Sequence, residues 1–101
     1  MFEPRVGDFT TIELFPIQQT SMRDAAAELV DGTLPVIRDR GGLRDVWLLR
    51  DETNSQFFIV SVWADPVAFQ QWQISEQRLA AYQKLVPFLS ATPSVQPVSL
   101  I

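Results

Sequence analysis

Neither cysteine nor histidine occurs anywhere in the 101 residues. Without cysteine there is no disulfide framework and no thiolate nucleophile. Without histidine the commonest metal ligand and the usual neutral-pH base are both gone, and with them most zinc sites and histidine-ligated haem; no cofactor is expected. Basic residues are scarce, eight Lys and Arg against twelve Asp and Glu for a net charge of −4, and they are scattered singly, so no nucleic-acid surface is expected. No apolar run reaches the length of a membrane span, and the opening MFEPRVGDF has no apolar signal core. The expected setting is the cytoplasm, with no membrane partner. What is present suffices for one domain: 47% of residues are hydrophobic and 20% charged, and a chain of this size buries roughly 60–65% of its unfolded surface.

The most informative stretch is QFFIVSVWADPVAFQQW, Gln56 to Trp72. Phe57 to Trp63 is a run of β-formers. Asp65 suits a helix N-cap, because its carboxylate can accept from amides of the first turn. Pro66 suits the first helical position, where no amide hydrogen is needed. One strand therefore feeds one helix, and Trp63, Phe69 and Trp72 gather at the corner between them.

Around it the other elements follow in order. Residues 1–8 read as an irregular leader. Phe9 to Ile17 alternates as strand one, with Phe9, Thr11, Glu13 and Phe15 on one face and Pro16 marking an edge or bulge. Thr20 and Ser21 can cap a helix that runs from Ser21 to about Arg38 with a kink near Gly32; two shorter helices are the alternative. Leu43 to Asp51 is strand two, residues 52–55 a polar turn, and strand three starts at Gln56. Ser75 can cap a helix over residues 76–89, distorted near Pro87. Val95 to Ile101 closes as a short strand whose proline suits a sheet edge. The order β-α-β-β-α-α-β predicts an α+β fold: a four-stranded antiparallel sheet with helices on one face. Strands two and three are apolar on both faces, yet the helices can cover only one, which predicts a homodimer joined through the uncovered sheet face.

With that order, the passage from Pro35 to Leu43, the LLRDE after strand two, and VSVWADPVAFQQW, residues 9–101 resemble the antibiotic biosynthesis monooxygenase (ABM) domain. The resemblance implies a dimeric α+β barrel of ferredoxin-like topology. Some members of that family oxidise aromatic polyketide phenols to quinones with O₂ and no cofactor. Others cleave haem with a strand-one Asn, a strand-three Trp and a His on the next helix. Trp63 matches the Trp, Trp72 falls about where the His would be, and strand one has no Asn. The implied activity is cofactor-independent oxidation of an aromatic quinol or polyphenol. The alternative is a non-catalytic dimer that binds a small apolar ligand in a stress or regulatory role.

Phenol oxidation by O₂ needs an apolar cavity, donors that stabilise a phenolate, and exclusion of water. Arg78 falls within the apolar half of its helix, one turn before Tyr82. It is a candidate to hold a phenolate; otherwise it snorkels or pairs with a carboxylate such as Glu13. Trp63, Arg78 and Tyr82 are the candidate catalytic residues, and Phe69, Trp72 and Glu13 the candidate substrate-binding ones. Glu13 could act as a base if buried, and would be inert if paired or solvated. For the aromatics the plain reading is core packing. Gly41-Gly42 is a turn and not a phosphate loop, since no strand precedes it and no Lys-Ser/Thr follows.

Overall fold

A computed structural model describes residues 8–51 and 56–98. Its strands are β1 (Phe9–Pro16), β2 (Leu43–Arg50), β3 (Gln56–Trp63) and β4 (Ser94–Val98); its helices are α1 (Arg23–Asp31), α2 (Leu34–Arg38), α3 (Pro66–Gln73) and α4 (Glu76–Leu85). Short 3₁₀ turns precede α1 at Thr20–Met22 and follow α4 at Val86–Phe88. The expected leader, apart from Asp8, the polar turn at 52–55 and the end of the last strand lie outside the described residues.

All strand pairs are antiparallel in the order β2-β3-β1-β4, a ferredoxin-like sheet. The register sets Thr11 opposite Ser61, Glu13 opposite Ile59 and Phe15 opposite Phe57. Period-two alternation then gives every second residue of β1 and β3 to the helix-covered face. There Phe15, Phe57, Ile59 and Trp63 meet Ala26 and Val30 of α1, Leu34 and Ile37 of α2, Phe69 and Trp72 of α3 and Leu85 of α4. Phe15 stacks on Phe57 at 5.0 Å between ring centroids, and Trp63 meets Phe69 edge-on at 5.8 Å. Full burial of a side chain such as Phe57 contributes about 1.5–3 kcal/mol. The opposite face carries Ile12, Leu14, Phe58 and Val60, with the exposed Trp47 and Leu49 beside them on β2.

The strand-to-helix corner forms as its residues dictate. The Asp65 side chain accepts from the Ala68 amide at 2.9 Å and Pro66 opens α3. Ser75 caps α4 by accepting from the Arg78 amide at 3.2 Å. The single kinked helix over 21–38 is instead two helices. The chain leaves α1 at Gly32, and Pro35, lacking an amide hydrogen, sits in the first turn of α2, where none is needed. The first of them starts at Arg23, with Met22 at its N-cap and no side-chain cap bond. The helix expected over 76–89 with a distortion near Pro87 is regular to Leu85 and then tightens to a 3₁₀ turn over Val86–Phe88. Leu79 and Val86 are exposed.

Gly42 joins sheet to helix. Its φ is +87°, and a Cβ built there would lie 2.6 Å from the Cβ of Ala68. The Ala64 amide donates to the Gly42 carbonyl at 2.7 Å. Only a residue without a side chain lets β2 begin this close to α3.

Candidate functional site

Between the sheet and the helices lies a cavity of about 40 Å³. Its floor comes from alternate residues of the two central strands: Glu13 and Phe15 of β1, and Ile59, Ser61 and Trp63 of β3. Its walls come from helices, with Phe69 and Trp72 on α3, Arg78, Ala81, Tyr82 and Leu85 on α4, Val30 at the end of α1, Ile37 of α2 and Thr33 between them. All six residues singled out from the sequence (Glu13, Trp63, Phe69, Trp72, Arg78 and Tyr82) line this one space. Arg78, Ala81, Tyr82 and Leu85 share a face because they recur at helical spacing.

Arg78 does not point a free guanidinium into the cavity. Its Nη2 donates to Glu13 Oε2 at 2.7 Å, across 65 residues of sequence. The pair is largely shielded, with side-chain exposures of 21% for Arg78 and 13% for Glu13. Burial pushes the Glu13 carboxyl above its ordinary 4.5, and the charge and hydrogen bond of Arg78 pull it back only in part. Such a carboxylate is paired and also basic for its kind.

The Trp63 indole N–H donates to Ser61 Oγ at 2.9 Å, and the residue is 0% exposed. Ser61 Oγ is also 2.9 Å from Thr11 Oγ1. Trp63 is therefore wall and anchor, and the hydroxyl beside it joins Glu13 as a polar group on the floor. Ser61 is not among the six candidates, although it is the lone hydroxyl on the β3 face shared by Phe57, Ile59 and Trp63. Of the other lining residues outside the six, Thr33 and Ala81 have small side chains with little chemical signal of their own, and Phe15, Val30, Ile37, Ile59 and Leu85 are plain core types.

Outside the cavity, a surface groove of about 390 Å³ runs between α1–α2 and α4. Thr33, Trp72 and Ala81 line both spaces, so these three residues form the partition. The Thr33 hydroxyl is turned away onto the Val30 carbonyl at 2.6 Å. Trp72 is held from outside by the Arg40 guanidinium, 5.8 Å from its ring centroid. Among the described residues no group of three or more His, Cys, Asp or Glu gathers to hold a metal ion. No helix among them is long and apolar enough to cross a membrane.

Comparison with known proteins places this architecture. The structure is similar to that of Rv0793 from Mycobacterium tuberculosis, with a TM-score of 0.81 and 16% identity over 93% of this chain and 95% of that one. It is similar to a conserved protein of Methanosarcina mazei, with a TM-score of 0.81 and 11% identity over 90% of each chain. It is also similar to SnoaB, a cofactor-independent oxygenase from Streptomyces nogalater, with a TM-score of 0.78 and 16% identity over 93% of each chain. At these identities the likeness shows the fold. No curated protein sequence matches significantly. The family model described as antibiotic biosynthesis monooxygenase matches residues 9–84, which run from the first residue of β1 to the last turn of α4. The chain belongs to the antibiotic biosynthesis monooxygenase family.

Proposed function

We propose that the protein is a homodimeric monooxygenase that oxidises an aromatic quinol or polyphenol with O₂ and without a cofactor. The observation that carries this reading is the largely shielded Glu13–Arg78 pair lining a mainly apolar cavity rich in aromatic rings. A phenol that reaches the pair gives its proton to Glu13, whose raised pKa makes it the better acceptor. The resulting phenolate takes the place of the carboxylate beside Arg78. It reduces O₂ and forms a carbon–oxygen bond at a ring carbon that carries hydrogen, and Glu13 returns its proton to the peroxide. Loss of water from that hydroperoxide leaves a carbonyl on the ring, so one oxygen atom enters the product and the other departs in water. Trp63, Phe69, Trp72 and Tyr82 hold the ring and exclude bulk water.

A water needs roughly 10–15 Å³ of such space, so the cavity as it stands suits a few waters and not a ring. Room for a ring then requires its walls to move, and the partition of Thr33, Trp72 and Ala81 is the part it shares with the outer groove. The dimer is proposed on the apolar sheet face that no helix covers. The test is O₂ uptake by the purified protein with 1-naphthol and substituted hydroquinones. Uptake above the protein-free rate, with a quinone product, is expected. No uptake with any of them would refute the oxygenase reading. The small cavity and the pre-formed ion pair favour one other reading, a non-catalytic binder of a small apolar ligand. Ligand-induced quenching of tryptophan emission without O₂ uptake would select it.

A further inference from the structure

We infer that the hydroxyl of Ser61 is a hydrogen-bond donor aimed into the cavity, making the site specific for a ring that carries a second, acceptor oxygen. The inference rests on the cavity being a ligand site, as in the reading above. It follows from counting donors and acceptors in a cluster that has no room for waste.

A serine hydroxyl has one proton to give and two lone pairs to receive with. One lone pair of Ser61 Oγ takes the Trp63 indole N–H at 2.9 Å. The remaining contact, 2.9 Å to Thr11 Oγ1, runs in one of two directions. If Ser61 donates to Thr11, the proton of Thr11 needs an acceptor of its own. Thr11 is 1% exposed and, unlike Ser61, does not line the cavity. That arrangement strands a hydroxyl proton in the core, a costly position for a buried polar group. If Thr11 donates to Ser61, both lone pairs of Ser61 are filled and its own proton has one direction left, the cavity. Ser61 is itself only 5% exposed, so that proton waits for whatever the cavity holds. The two donors it receives also polarise the hydroxyl and strengthen its donation.

The register gives the second half of the argument. Thr11 faces Ser61 across the sheet, and Glu13 is two residues along the same strand on the same face. Ser61 and Glu13 are therefore diagonal neighbours, with backbone positions roughly 7–8 Å apart. A ring between them meets a proton acceptor backed by Arg78 at one end and a fixed donor at the other. The chemistry so defined is an aromatic with one ionisable hydroxyl and one carbonyl or hydroxyl oxygen across the ring system. A monophenol satisfies only half of it.

The experiment uses three probes, naphthalene, 1-naphthol and 1,4-naphthoquinone, titrated against the full chain. Affinity is read from tryptophan quenching, and the Trp63 indole proton is followed by ¹⁵N-resolved NMR. In the native protein the quinone shifts the indole signal, because a Ser61 that donates becomes a better acceptor. Ser61→Ala is expected to weaken quinone binding roughly three- to tenfold, the worth of one neutral hydrogen bond, and to leave naphthalene unaffected. Equal quinone affinity in the native protein and Ser61→Ala overturns the inference and leaves the oxygenase reading standing. Should Ser61→Ala fail to fold, Thr11→Val decides. Weaker quinone binding with naphthalene unaffected supports the inference, because Ser61 then loses the Thr11 donor that polarised its hydroxyl; unchanged affinity overturns it. Tighter binding overturns it, because the substitution would then have released a proton previously given to Thr11. Absence of binding by any probe to the native protein overturns both readings. Selective quinone binding without O₂ uptake upholds this one alone.

Discussion

Arg78→Met isolates the ion pair, because it keeps the aliphatic stem and removes only the charge. In the native protein the guanidinium lowers the Glu13 carboxyl by charge and by a 2.7 Å hydrogen bond, against burial that raises it. With Arg78 gone only burial remains, so the Glu13 pKa climbs further above 4.5. A carboxylate whose folded pKa lies above its unfolded value stabilises the fold when protonated. That contribution is present below about pH 4.5 and is lost as pH rises through the folded pKa. The variant therefore gains stability on acidification, with a slope of at most about 1.4 kcal/mol per pH unit for one proton, over a window that reaches higher in pH than in the native chain. At neutral pH the lost charged hydrogen bond costs about 1.5–3 kcal/mol, and the 3–5 kcal/mol typical of breaking a fully buried pair is a ceiling of ~5, since Arg78 retains 21% side-chain exposure. For a domain of this size that lowers Tm by roughly 6–20 °C. The assay is urea unfolding between pH 4 and 8, with Glu13→Gln/Arg78→Met as the second arm. The double variant carries no buried charge, and its profile through this window flattens. On the proposed mechanism the single variant also turns over a quinol roughly ten- to a hundredfold more slowly. An Arg78→Met protein as stable as the native one, with an unchanged pH profile, would refute the coupling of the two residues.

Three further outcomes are expected. Gly42→Ala places a side chain at positive φ and 2.6 Å from Ala68 Cβ, at about 1–2 kcal/mol for the backbone and about 1–3 for the overlap; denaturant titration measures the sum, and adding Ala68→Gly recovers the second part alone. Val60→Asp puts a charge in the middle of the uncovered sheet face; if that face joins two copies, sedimentation finds monomer or aggregate where the native chain is a dimer, and a native chain that sediments as a folded monomer at micromolar concentration ends the dimer proposal. Asp65→Ala removes the cap bond to the Ala68 amide and costs about 1 kcal/mol, read as a lower urea midpoint at constant slope.

Much of the fold was legible because its signals are local. Asp65-Pro66 and Ser75 announce their helices, and alternation in Phe9–Pro16 and Gln56–Trp63 assigns side chains to faces without reference to the rest of the chain. The gathering of Trp63, Trp72, Arg78 and Tyr82 was legible for a related reason. One residue ends a strand, one lies on the next helix and two lie one turn apart on the helix after it, so packing on a common sheet face brings them together. What was not legible depended on register and on atoms. Whether Arg78 meets Glu13 requires the β1–β3 pairing, which carries no sequence mark. That Trp63 spends its only proton on Ser61 requires knowing that residues i and i+2 of this strand touch. The distortion near Pro87 was legible from the proline itself; its start at Val86 was not, because Val86, Phe88 and Leu89 continue an apolar pattern that the backbone, tightened to 3₁₀, does not follow.

The cavity is built from parts that open at different free energies. Its polar floor (Glu13 and Ser61, with Thr11 behind Ser61) belongs to β1 and β3, each hydrogen-bonded to a strand on both sides. The partition of Thr33, Trp72 and Ala81 belongs to helices α3 and α4 and the α1–α2 junction, which are held to the sheet by side chains and not by backbone pairing. Local opening draws on the least-connected elements first. The helical side can therefore breathe while Glu13 and Ser61 keep their spacing. It can also be rewritten, residue by residue, to change the shape of the cavity, while the Glu13 carboxylate and the Ser61 hydroxyl stay where the sheet has put them.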